Sequence, residues 1–289
     1  MATIHTPDHS NGLEIPVPSG PVDVDLLFYH APADGSNPFN YVDKPPPSQP
    51  KKNFQELPHK VHLTDIRNQN ETSYTLDRDA FQVLQNIHTT TTYETYNSDD
   101  EVKHLFYPEI EALIMKNVQG ANKVIIFDHT IRRQNPDALR KPLYRAHAAA
   151  ERALMHISNE EEAKAVVNGS CRYRIINVWR PINGTVESNP LAWAAVSSVD
   201  EDDLVPVEFR SLARTGEIML LRPNPKQKWL YLFGVRESER LLLKCFDSEG
   251  RGNEDGIATR LPHTAFWDPR TLEGAKRRES IEVRALVLG

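Results

Sequence analysis

The run Tyr173-Arg174-Ile175-Ile176-Asn177-Val178-Trp179-Arg180-Pro181 is the stretch from which the fold class follows. Successive side chains of an extended strand point to opposite faces, so Tyr173, Ile175, Asn177 and Trp179 share one face. Arg174, Ile176, Val178 and Arg180 share the other. Both faces carry apolar groups, which describes a central strand covered on both sides and stopped by Pro181. Such a strand serves either the core alone or the core and a pocket lined by Asn177 and Trp179. The run by itself leaves both open.

Five more runs of this kind follow Lys123, separated by turns: Val124 to His129, Glu217 to Arg222, Trp229 to Val235, Leu241 to Phe246 and Ser280 to Leu288. The six together predict a mostly β protein with a jelly-roll core, because double-sheet packing leaves few unpaired edges. Ahead of them the pattern turns helical. Asp77 reads as the N-cap of a helix burying Ala80, Phe81 and Leu84. A second helix is capped by Ser98-Asp99, interrupted or restarted at Pro108, and carried by Ile110, Leu113 and Ile114 to Gly120. These helices would cover one face of the sheets. Of 21 prolines, 11 lie in residues 1–58, so that segment is expected to be extended and to wrap over a 59–289 domain, with Val22 to Tyr29 as one strand.

Composition narrows the partners. Lys and Arg total 34 against 40 Asp and Glu, a net charge of −6, and no basic block interleaves with aromatics, which argues against nucleic acid. Cys171 and Cys245 make no disulfide framework and show no metal-ligand spacing, which suits a reducing compartment. No uncharged apolar run approaches the roughly 18 residues of a membrane span, and the first residues lack a signal pattern. The expectation is a soluble, cytoplasmic protein.

A different stretch, Tyr144-Arg145-Ala146-His147-Ala148-Ala149-Ala150-Glu151, poses the chemical question. A facial-triad iron site uses two histidines and one carboxylate and leaves positions open for oxygen and a co-substrate. The first histidine and the carboxylate usually sit two residues apart on one strand, pointing to the same side. Here that spacing reads His147-Ala148-Ala149, and alanine cannot bind a metal. Glu151 would lie about 7 Å further along a continuing strand, which makes it a poor substitute. Ala146 to Met155 is also rich in helix formers.

An ordered set of motifs carries a resemblance. It comprises Tyr107-Pro108-Glu109, Val124 to His129 with Arg132, Asn177 to Pro181, Cys245-Phe246-Asp247-Ser248, Pro262-His263-Thr264-Ala265-Phe266 and Arg278 to Arg284. Together these resemble the asaB-type fungal hydroxylase/desaturase family, which is similar to iron(II)- and 2-oxoglutarate-dependent oxygenases built on a double-stranded β-helix. The resemblance covers most of the chain. It implies metal ligation by His147 and His263, with the third ligand missing at Ala149. It also implies that Arg278 and Ser280 grip the distal carboxylate of 2-oxoglutarate, a task suited to a guanidinium fork plus a hydroxyl. Otherwise Arg278 is one more charge in the cluster Lys276-Arg277-Arg278.

Three functions fit. The first is a degenerate subunit that supports a complete relative in a heterodimer and tailors a terpenoid- or polyketide-derived secondary metabolite. In this reading the isolated chain holds Fe(II) weakly or not at all. The second is an active, carboxylate-free iron halogenase or hydroxylase. The third is a metal-free isomerase or small-molecule binder. Ala148 and Ala150 beside Ala149 favour the first, since they suggest relaxed demand on the whole turn.

Overall fold

The computed structural model describes residues 17–133, 155–211, 215–250 and 256–289. His147 and Ala149, and the helical tendency of residues 146–155, fall outside these except for Met155. In chain order the strands begin with β1 (Val22–His30), β2 (Phe39–Tyr41), β3 (Gln55–Asp65), β4 (Phe81–Leu84) and β5 (Lys123–Arg133). They continue with β6 (Tyr173–Pro181), β7 (Leu191–Ala194), β8 (Leu204–Arg210), β9 (Thr215–Leu221) and β10 (Trp229–Tyr231). The last are β11 (Arg240–Asp247), β12 (His263–Ala265) and β13 (Glu279–Leu288).

Two five-stranded sheets, ordered β4-β11-β6-β13-β5 and β1-β3-β10-β7-β12, make the double-stranded β-helix core; β2, β8 and β9 form a small third sheet. The expected architecture, mostly β with flanking helices around a jelly roll, is therefore present. Strand β6 is central and buried along its whole length. Its two faces part as period-two alternation requires. Ile176 and Val178 join the core under the helices, while Trp179 packs with Trp193, Phe81, Leu241 and Leu243. The segment with most of the prolines supplies β1, which pairs antiparallel with β3 from Val22↔Leu63 to His30↔Gln55.

One predicted helix is corrected. Thr75, not Asp77, is the cap, accepting from the Arg78 N–H, and the helix α1 is only Leu76–Asp79. Ala80 then turns the chain at φ 60°, and Phe81–Leu84 continues as β4 against β11. Four apolar-rich residues fit either period, and pairing with the neighbouring strand decides. The second helix forms as read, with Ser98 accepting from the Glu101 N–H at the start of α2 (Asp99–Glu101). A π-helical turn, Val102–Phe106, leads into α3 (Tyr107–Asn117). Pro108 has no N–H to give, and a widened turn just before it accommodates the missing bond. Ile110, Leu113 and Ile114 bury against Val178, Ile281 and Val283, each contributing roughly 1.5–3 kcal/mol. The helix α4 (Glu160–Val167), capped by Asn159, places Val166 against Tyr173, Ile175 and Leu286.

Candidate active site

Strand β13 lies between β5 and β6, and its alternation builds the site. Ile281, Val283 and Ala285 face the helices, so Ser280, Glu282 and Arg284 face the space between the sheets. Their partners on β6 set what surrounds them: Glu282 is opposite Trp179 and Arg284 opposite Asn177. On β5 the corresponding partners are Arg132, Thr130 and Asp128.

Arg278, just before β13, is buried, with 7% of its surface exposed. Its Nη1 donates to the Asn189 carbonyl at 2.5 Å, and its guanidinium carbon lies 5.6 Å from the Trp179 ring centroid. Arg278 Nε and Ser280 Oγ are buried without a hydrogen-bond partner among the described residues, as is Asn177 Oδ1. Burial pushes the Arg278 guanidinium down to about 10, and the charge of Arg132 adds to the effect while Glu282 opposes it. A buried cation of this kind is stabilised by a carboxylate brought against it.

His263 enters from β12 in the other sheet, where it pairs with Trp193. Its Nδ1 lies 3.0 Å from the Leu261 carbonyl, which can only accept. The proton therefore sits on Nδ1 and the lone pair on Nε2, the arrangement a metal-ligating histidine needs. Burial pushes the ring's pKa down and keeps it neutral, with the charge of Glu282 opposing. Among the described residues no group of three His, Cys, Asp or Glu side chains could hold a metal ion.

The structure thus brings Trp179 into contact with Arg278 and sets Asn177 beside Arg284. Sequence reading missed Glu282 and Arg284. Arg284 pairs with Glu282 at 2.5 Å and with Asp128 at 2.8 Å, and donates to Thr130 Oγ1 at 3.1 Å. Period-two spacing from Ser280 was the available signal. Cys245, beside the same groups, is pushed up to about 12 by burial and the Glu282 charge, so its thiol stays protonated and inert.

Other motif residues serve the scaffold. The Tyr107 hydroxyl lies 2.8 Å from His129 Nδ1 and ties α3 to β5, and Glu109 accepts from Thr89 and Thr90. Asp247 accepts from Arg172 and Lys244, and Ser248 Oγ accepts from the Tyr173 N–H.

Comparison with known proteins agrees with the fold. A family profile described as an oxidoreductase/YMDC permease-like domain matches residues 26–288. No helix among the described residues is long and apolar enough to cross a membrane. The hydroxylase/desaturase poxK of Penicillium oxalicum is 33% identical, covering 94% of this chain and 92% of poxK. The Fe(II)/2-oxoglutarate-dependent dioxygenase nvfI of Aspergillus novofumigatus is 30% identical, covering 92% and 96%. A solved structure of the iron and alpha-ketoglutarate-dependent endoperoxidase NvfI superposes with a TM-score of 0.79 at 27% identity, over 93% of this chain and 98% of that one.

Proposed function

The chain belongs to the hydroxylase/desaturase family of fungal iron(II)- and 2-oxoglutarate-dependent oxygenases, and we propose that it keeps the family's co-substrate site without a complete metal set. The observation that carries the first half is the pair of orphaned, buried donors, Arg278 Nε and Ser280 Oγ, on one inner face. They fit a carboxylate. Arg278 binds and orients the distal carboxylate of 2-oxoglutarate, Ser280 adds a hydroxyl donor, and Trp179 holds the guanidinium plane. Iron(II), when bound with 2-oxoglutarate, supplies the oxidising chemistry of the family. His263 and His147 are its ligands from this chain, and His263 has the tautomer for the task.

Ala149 carries the second half, since two neutral imidazoles replace a set that included a negative charge. Losing an anionic ligand weakens the metal by more than the roughly 10 to 100-fold seen when an outer-shell partner is lost. The chain then acts as a subunit that supports a complete relative in oxidising a terpenoid- or polyketide-derived secondary metabolite. Asn177 and Trp179 line the pocket. The test is co-expression with a family member that keeps the carboxylate. A stable heterodimer more active than the relative alone is expected; no complex and no gain in activity overturns the reading. The His147-Ala148-Ala149 spacing itself favours one alternative, a halide at the position the carboxylate vacates. Chlorination of a product by the chain alone would establish it.

A further inference from the structure

Two arginines lie on the rear face of the β6–β11 pair, opposite the face that carries Trp179. Strands β6 and β11 run antiparallel with Leu241 opposite Trp179 and Leu242 opposite Val178. Continued by one residue, that register sets Arg240 beside Arg180. Alternation sends both to the face opposite Trp179, away from Arg278. Like charges directly opposite one another on adjacent strands repel.

Both side chains are enclosed, Arg180 with 3% and Arg240 with 1% of its surface exposed. Their hydrogen bonds go to backbone carbonyls, from Arg180 Nε to Pro181 and from Arg240 Nη1 to Glu237 and Glu239. Arg180 Nη1 and Arg240 Nη2 have no hydrogen-bond partner among the described residues. The carboxylates that bear on Arg240 are engaged by other donors, Glu109 by Thr89 and Thr90 and Glu237 by the Gly184 N–H. Burial, with the charge of Arg180 added, pushes Arg240 down to about 9.

A cavity of about 550 Å³ opens against Arg180, with Tyr96, Tyr93, Ile87, Ile182 and Glu237 also in its wall and Thr92 at its rim; Arg240 lies behind Arg180, outside the lining. The Tyr96 ring centroid lies 5.8 Å from the Arg180 guanidinium carbon. The volume is in the range of small-molecule sites.

We propose that this rear cavity binds an organic carboxylate, with Arg180 as the contacting cation and Arg240 behind it. A monoanion relieves the repulsion between the two guanidiniums, and a planar carboxylate matches the guanidinium fork. Glu109 and Glu237 nearby disfavour a dianion such as phosphate, and Ile87, Ile182 and the two tyrosines give an apolar body a place to lie.

The test titrates the full chain with benzoate, followed by calorimetry and by thermal unfolding. Saturable binding is expected, weakened at least about tenfold by Arg180→Gln. Because that change also removes a buried hydrogen bond to the Pro181 carbonyl, Thr92→Glu provides an independent reading. It puts a negative charge at the exposed rim, leaves the buried pair intact, and is expected to weaken benzoate by about tenfold as well. Arg278→Gln should leave benzoate binding unchanged, which separates this site from the co-substrate pocket. The proposal is overturned by absence of saturable benzoate binding, by unchanged affinity in Thr92→Glu, by loss of binding in Arg278→Gln, or by tighter binding of inorganic phosphate than of benzoate.

Discussion

Arg278→Met replaces a buried guanidinium with an apolar side chain of similar length, and its two expected effects differ in kind. In the unliganded protein the change orphans the Asn189 carbonyl, which Arg278 Nη1 reaches at 2.5 Å, at a cost of roughly 1–3 kcal/mol. Against that, burial holds the guanidinium down to about 10, a depression equivalent to about 3 kcal/mol of destabilised charge that the variant no longer carries. The two nearly cancel, so unfolding by urea should show little change in stability near neutral pH. Binding of 2-oxoglutarate should fail. A ligand carboxylate left unpaired in the pocket costs roughly 2–5 kcal/mol, a loss of affinity from about 30-fold to several thousand-fold. Calorimetric titration measures it. A dissociation constant within about threefold of the parent's would refute the assignment and return Arg278 to the Lys276-Arg277-Arg278 cluster.

Three further outcomes are expected. Asp247→Asn removes the buried charge that faces the buried Lys244 and the half-buried Arg172, leaving Asp77 as their shared acidic partner, and should cost roughly 3 kcal/mol in denaturant unfolding. Burial alone would raise the Asp247 carboxyl, but the Arg172 hydrogen bonds and the Lys244 charge outweigh it and hold it below the usual range. Its stabilisation is therefore present above the ordinary carboxylate pKa and lost as pH falls through the lower folded value; Asp247→Asn should flatten that acid limb. Trp193→Ala empties a fully buried position 4.9 Å from the Phe81 ring and should cost roughly 3–5 kcal/mol in the same assay.

The parts of the fold that were legible in the sequence are those where one period dominates. The nine residues of β6 and the last nine of β13 pair with each other residue for residue, and both are central strands. Alternation puts Arg278 and Ser280 on one face, but the role read for them came from the family resemblance and not from any period. Residues 76–84 were not, because a single turn of helix and a four-residue strand share one short apolar pattern that only pairing with β11 resolves. Glu282 and Arg284 gain a place in the site only when alternation along β13 is combined with the identity of its neighbours. The adjacency of Arg180 and Arg240 depends on the β6–β11 register and has no local signature.

The central claim is that the co-substrate grip persists where the metal set is incomplete. The most direct measurement is anaerobic calorimetry of the chain with iron(II), in the presence of 2-oxoglutarate, beside its Ala149→Asp variant. Arg278-dependent binding of 2-oxoglutarate, weak iron(II) in the parent and clearly tighter iron(II) in Ala149→Asp are predicted. Parent affinity for iron(II) equal to that of a relative with the complete set, together with oxygen-dependent consumption of 2-oxoglutarate by the chain alone, would contradict it.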